Sequence, residues 1–95
     1  MKRKVVSYTS FDRAFKHITK RNNQLQDKIF TVIELLSENP FDNKLDTHKL
    51  KGILFGNYAC TVEYDCRIVF SFGTNEVTNE EIIYLHDIGT HEDVY

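Results

Sequence analysis

Apolar side chains recur at Phe11, Ala14, Phe15 and Ile18, a spacing of i, i+3, i+4 and i+7 that lines one face of a helix. Thr9 and Asp12, in a T-x-x-D pattern, predict where that helix starts. A second stripe of Leu25, Ile29, Val32, Ile33 and Leu36 runs to Asn39-Pro40, and the residue before a proline is driven out of the helical region. The short polar link "RNNQ" between the stripes predicts an antiparallel helix hairpin.

Beyond Pro40 the period falls to two. Tyr58, Cys60, Val62 and Tyr64 alternate with Ala59, Thr61 and Glu63; Ile68, Phe70 and Phe72 then alternate with Arg67, Val69 and Ser71. Gly73-Thr74-Asn75 reads as a turn into the strand "EIIYLHDI", and links this short force antiparallel pairing. "KVVSY" near the start predicts one more strand. The pattern therefore predicts an α+β fold: an N-terminal strand, a two-helix hairpin, then an antiparallel sheet of three or more strands. The helices cover one face of that sheet and leave the other bare. Thr61, Glu63 and Arg67 should lie on the bare face or its rim. Ninety-five residues suit a single domain, residues 1–95.

Composition excludes several classes. With 41% hydrophobic and 27% charged residues the chain is too apolar for disorder, and its apolar runs are too short to span a membrane. The start, "MKRKVVSYTS", carries no long apolar stretch of the secretory kind, so a cytoplasmic address and no membrane partner are expected. Cys60 and Cys66 fit no C-x-x-C pattern and are expected to be reduced, buried and inert. The net charge of −2 hides an asymmetry. Lys2, Arg3, Lys4, Arg13, Lys16, Lys20, Arg21 and Lys28 crowd the first third of the chain. Glu63, Asp65, Glu76, Glu80, Glu81, Asp87, Glu92 and Asp93 crowd the last. A nearly neutral protein can thus carry one basic face.

Three segments add chemistry: "DTHKLKG" at 46–52, "YACTVEYDCRIVF" at 58–70 and "IGTHEDVY" at 88–95. Together, in order and at these spacings, they resemble the RelE/ParE toxin superfamily of type II toxin–antitoxin modules, and most of all its YafQ/RelE branch. The likeness runs over nearly the whole chain. It implies a RelE-like fold and a ribosome-dependent mRNA endonuclease that works without a metal or other cofactor and inhibits translation. The implied partners are a cognate antitoxin protein, mRNA in the ribosomal A site, and rRNA.

Residue by residue, the histidine of an H-x-L-x-G segment falls on His48 and that of G-T-H on His91. The aromatic four residues later falls on Tyr95. The acid after the first hairpin strand falls on Asp65, and the arginine that opens the next strand falls on Arg67. Where YafQ-like members place another histidine this chain has Thr61, so Glu63 joins His48 and His91 as a candidate proton carrier. Which of the three is base and which is acid stays open at this point. Lys49 and Lys51 flank His48 and are candidates for binding RNA phosphates.

The residue types suit the implied reaction. Metal-free RNA cleavage needs a base for the 2′-hydroxyl proton, an acid for the leaving 5′-oxygen and a cation beside the pentacoordinate phosphorus. Histidine titrates near neutrality, the arginine fork matches phosphate oxygens, and a tail aromatic can stack on a splayed base. Taken without the resemblance, His91 and Tyr95 are a tail packing over the sheet edge, and Arg67 pairs with Glu63 or Asp65 across the hairpin. His86 reads as a half-buried strand residue. The set His86, Asp87, His91 and Glu92 matches no established metal-ligand spacing. Two other functions stay in view: a ParE-like toxin that poisons gyrase without cleaving RNA, and a non-toxic module that only holds its antitoxin.

Overall fold

The computed structural model describes residues 2–90, so His91 and Tyr95 lie outside the described residues. Five strands and two helices follow one another as β1 (Lys4–Ser7), α1 (Thr9–Thr19), α2 (Asn23–Glu38), β2 (His48–Lys49), β3 (Tyr58–Glu63), β4 (Cys66–Thr74) and β5 (Glu81–Gly89). The sheet order is β1-β5-β4-β3-β2. Neighbours from β2 to β5 are antiparallel, as the short links require, but β1 lies parallel to β5 and pairs Lys4 to Ser7 with Ile82 to Leu85. Among the described residues no helix is long and apolar enough to cross a membrane.

Both helices form where their stripes predict, though the first begins differently. Tyr8, not Thr9, is the N-cap of α1 and its side chain makes no capping bond. Asp12 instead accepts a hydrogen bond from the Ser7 hydroxyl at 2.7 Å, which ties the helix start to the end of β1. Arg21, with φ of 60°, turns the chain between the helices, and the Asn22 side chain then caps α2 by accepting from the Leu25 N–H. The helix stripes close on Cys60, Val62, Ile68, Phe70, Ile83, Leu85 and Ile88 of the sheet, with Ile29, Leu36 and Phe70 fully buried. Fully burying such a side chain contributes roughly 1.5–3 kcal/mol, so this layer carries most of the stability.

Two features of the sheet depart from strict alternation. The strand expected to turn at Gly73 continues through Thr74. The turn comes at 75–80, where the Asn75 side chain accepts from the N–H groups of Val77 and Thr78. A register shift between Val69 and Phe70 makes Asp87 pair with Val69 and Leu85 with Phe70, leaving His86 as the extra residue of a β-bulge. The bulge lets Ile83, Leu85 and Ile88 all face the helices although their numbers differ in parity. Nor is the opposite face bare, because Leu50 and Leu54 pack there on Ala59 and Val69. Both cysteines are free and buried, and burial pushes their thiols up to about 12 for Cys60 and about 11 for Cys66.

Candidate active site

The helix-free face gathers side chains from three adjacent strands at one end of the sheet. On β2, His48 stands opposite Ala59; on β3, Thr61 stands opposite Arg67; on β4, Arg67 stands opposite Gly89. His48 and Arg67 therefore sit on either side of β3 near Thr61, about 12 Å apart across two strand spacings and two residues of stagger. His48 is exposed, and its Nδ1 lies 3.1 Å from the carbonyl oxygen of Asp46. That carbonyl is presented by Asp46 in a left-handed conformation with φ of 49°, just before β2 begins. The Thr47 hydroxyl donates to the Pro40 carbonyl at 2.6 Å and ties the approach to β2 to the end of α2.

Arg67 is half-buried and does not pair with Glu63 or Asp65 across the hairpin. Its Nη1 donates to the backbone carbonyls of Glu63 at 2.6 Å, Tyr64 at 2.9 Å and Cys66 at 3.3 Å. The guanidinium thus clamps the β3–β4 turn through main-chain oxygens. Among the described residues no carboxylate pairs with the guanidinium, and carbonyls carry no net charge to cancel its own, so it remains suited to a bound anion. The turn projects Tyr64, 94% exposed, and an exposed Asp65 beside it.

Glu63 departs from the expected placement. A register shift between Thr61 and Glu63 sends its carboxylate to the helix side, where Lys28 of α2 donates to it at 3.2 Å. There it helps to line a hollow of about 350 Å³ with Asn22, Gln24, Leu25 and Lys28. Nor does Lys49 share the face of His48. Lys49 lies opposite Tyr58, whose ring packs on the core, so it projects from the other side of β2, and Lys51 is exposed in the loop that follows. Of the residues expected to carry the chemistry, the fold brings His48 and Arg67 together around Thr61. Asp65 stays near them on the turn, and Glu63 and Lys49 are turned away. The sheet ends at Gly89, opposite Arg67, with Thr90 the last described residue.

Farther along the same face the sequence reading missed a polar and aromatic group. Ser71 Oγ lies 2.7 Å from His86 Nε2, and the His86 ring lies 4.7 Å from that of Tyr8. Burial disfavours the charged form of His86 and lowers its pKa. His86 shares the parity of Tyr84 and reaches this face by ordinary alternation, and the bulge acts just after it, returning Ile88 to the helix side. The bulge's signal in the sequence is the change of parity from Ile83 and Leu85 to Ile88.

A family model described as the bacterial toxin of the type II toxin–antitoxin system, YafQ, matches residues 3–95. The chain belongs to the YafQ toxin family. Solved structures agree on the fold. A YoeB/ParE toxin from Agrobacterium tumefaciens is 18% identical with a TM-score of 0.77, over 93% of this chain and 98% of that one. A mutant of YafQ from E. coli is 20% identical with a TM-score of 0.77, over 98% of both chains. The E. coli DinJ–YafQ toxin–antitoxin complex contains a chain 18% identical to this one with a TM-score of 0.73, over 100% of this chain and 99% of that one. No curated protein sequence matches significantly. This YafQ-family toxin therefore has the RelE-like α+β fold, with its helices on one face and its candidate site on the other.

Proposed function

We propose that this toxin is a ribosome-dependent mRNA endonuclease that halts translation by acid–base chemistry without a metal. The observation that carries the reading is the convergence of His48 and Arg67, from strands on either side of β3, around Thr61 on the helix-free face. A carbonyl only accepts hydrogen bonds, so the Nδ1 of His48 that faces the Asp46 oxygen carries the proton. In the neutral ring Nε2 then holds the lone pair, which suits His48 to the role of base. It takes the 2′-hydroxyl proton as that oxygen attacks phosphorus. The bond to the 5′-oxygen breaks, leaving a 2′,3′-cyclic phosphate, and the departing oxygen takes a proton from an acid.

His91 is the acid in this reading, since Glu63 is occupied by Lys28 on the helix side. Arg67 stabilises the charge that builds on the phosphate oxygens, and Asp65 accepts a hydrogen bond from the nucleotide at the turn. Tyr95 stacks on the displaced base, while Lys49 and Lys51 meet phosphates of the ribosome or message. Thr61 has no proton chemistry at neutral pH and serves as a small polar floor between base and cation. Few fixed groups make such a site depend on the ribosome to align the 2′-hydroxyl for in-line attack.

A cognate antitoxin completes the proposal. E. coli YafQ forms a toxin–antitoxin complex with DinJ, and this chain exposes Arg13, Lys16, Lys20 and Arg21 along α1 and the turn after it. That basic face suits acidic residues of an antitoxin, because charge complementarity speeds and orients association.

The test is to induce the protein in cells and map mRNA 5′ ends, then repeat the assay with purified protein on programmed ribosomes and on naked RNA. Cuts within translated codons and poor cleavage of naked RNA are expected. Free RNA cut as fast as ribosomal mRNA would overturn the dependence on the ribosome. Growth arrest with altered DNA supercoiling and intact messages would instead favour a gyrase poison, and an absence of growth arrest a pure antitoxin-binding module.

A further inference from the structure

We propose that Tyr8 and Tyr84, backed by His86 and Ser71, form a stacking subsite for a base of single-stranded RNA. The subsite lies on the helix-free face, away from the cleavage site but continuous with it. The proposal rests on the nuclease reading above and extends it to a second point of contact with the message. The two tyrosine rings are near-parallel, 14° apart, with centroids separated by 5.7 Å. Tyr8 is 43% exposed and Tyr84 is half-buried, so aromatic surface is presented to solvent rather than spent on the core.

The sheet is built to hold these rings. Tyr84 stands opposite Ser71 on β4 and Val6 on β1, and its ring lies across Gly73, where any added Cβ would collide with the ring edge. His86 locks the group from below through its 2.7 Å bond to Ser71, and its backbone carbonyl accepts from the Ser10 hydroxyl at 2.5 Å. That second bond pins the start of α1, and with it Tyr8, to the bulge. Both contacts are made by His86, the extra residue of β5.

The occupant follows from the surroundings. Around the rings stand hydrogen-bonding groups and an exposed cation, Lys4, on the same face of β1, rather than the contiguous aliphatic patch that a partner helix buries. Four residues of β5 lie between Tyr84 and Gly89, which stands opposite Arg67, so the platform is about 15 Å from the candidate site. An extended RNA strand covers that distance with several nucleotides. Asp87, between the two ends, turns its carboxylate to its neighbour, the Ile88 N–H, at 2.8 Å. Cations at both ends with flat rings between them are the pattern of a single-strand track.

The experiment uses the full chain with a short single-stranded RNA carrying 5-iodouridine at successive positions. Irradiation followed by peptide mapping should find cross-links on Tyr8 or Tyr84. Tyr84→Leu should weaken RNA binding roughly tenfold, Tyr84→Phe should bind like the wild type, and Gly73→Ala should mimic the loss by displacing an intact ring. Thermal melting of each variant separates lost stacking from lost folding. Cross-links that avoid both tyrosines, or undiminished binding by a folded Tyr84→Leu variant, would overturn the proposal. So would loss of antitoxin affinity in that variant with RNA binding unchanged, since the face would then be a protein interface. Ribosomal cleavage is scored in parallel. If the wild type cross-links at the tyrosines yet cuts no message, the nuclease reading falls and the subsite stands; the converse result removes the subsite alone.

Discussion

The two faces of the sheet are built on opposite terms. Toward the helices, Cys60, Ile68, Phe70, Ile83, Leu85 and Ile88 meet Ile29 and Leu36 in a continuous apolar layer. Toward solvent, His48, Thr61, Arg67, Ser71 and His86 line up, with a small apolar group, Leu50, Leu54, Ala59 and Val69, to anchor the covering loop. One face can therefore lose function with little loss of stability, and the other can lose stability with no change in chemistry. Each strand serves both, because alternate residues point opposite ways.

The sharpest way to break that comparison is at His48. His48→Ala should lower mRNA cleavage on ribosomes by about 10²–10⁴, the usual contribution of a catalytic acid or base. Its melting temperature should hardly move, because surface truncations shift stability by about 0.5 kcal/mol or less. Toxicity on induction and a thermal melt of the same variant make the check. Loss of activity only in proportion to unfolding would make His48 a structural residue.

On the other face, Phe70→Ala should cost about 3–5 kcal/mol, as expected for deleting a fully buried aromatic side chain. Urea or thermal unfolding measures this directly, and the folded fraction should keep its cleavage rate per molecule. A rate that fell further than the folded fraction would show that the faces are not independent.

Alkaline stability sharpens the comparison from inside the core. Cys60 and Cys66 stay neutral in the folded protein up to about 12 and about 11, whereas unfolded thiols release their protons from about 8.5 upward. The unfolded state then binds fewer protons, so stability is intact below the unfolded value and falls as pH rises toward those folded values. The slope approaches about 1.4 kcal/mol per pH unit for each thiol. Denaturation curves across pH 8–11, ~3 units around the unfolded thiol value, should be steeper for the wild type than for Cys60→Ala, whatever the variant's absolute stability.

Arg67 belongs to both accounts. Arg67→Ala should remove the clamp on three turn carbonyls and cost about 1.5–3 kcal/mol, the range for hydrogen bonds from a charged group. Arg67→Lys keeps charge without the fork, so it should recover more stability than cleavage. Equal recovery of both would reduce Arg67 to a turn residue.

The smallest effect is expected at Lys28. Its partner Glu63 and Lys28 itself are both substantially exposed, so Lys28→Ala should shift stability by no more than about 1 kcal/mol and leave cleavage unchanged. A large gain or loss in ribosomal cleavage would return Glu63 to the list of proton carriers.

Read by itself, the sequence determined what local periodicity can determine. The helix stripes at Phe11–Ile18 and Leu25–Leu36, the alternation from Tyr58 to Val62 and that from Arg67 to Phe72 each follow from side-chain spacing within a few residues and hold in the fold, and the register shift after Thr61 breaks the pattern at Glu63. The same alternation puts Arg67, Val69 and Ser71 on the outer face. His48 stood out only through the resemblance of its segment to a known family. Only the tertiary structure decided what depends on residues far apart. The parallel docking of β1 on β5 joins the two ends of the described chain, and no local pattern encodes it. Glu63 turned from expected catalyst to ion-pair partner because α2 brings Lys28 beside the hairpin, 35 residues away in sequence. The Tyr8–Tyr84 platform exists because β1 docks parallel to β5 and delivers the start of α1 beside Tyr84, where the Ser10 hydroxyl bonds to the His86 carbonyl. Periodicity is a property of one element, whereas a site is a property of where several elements end.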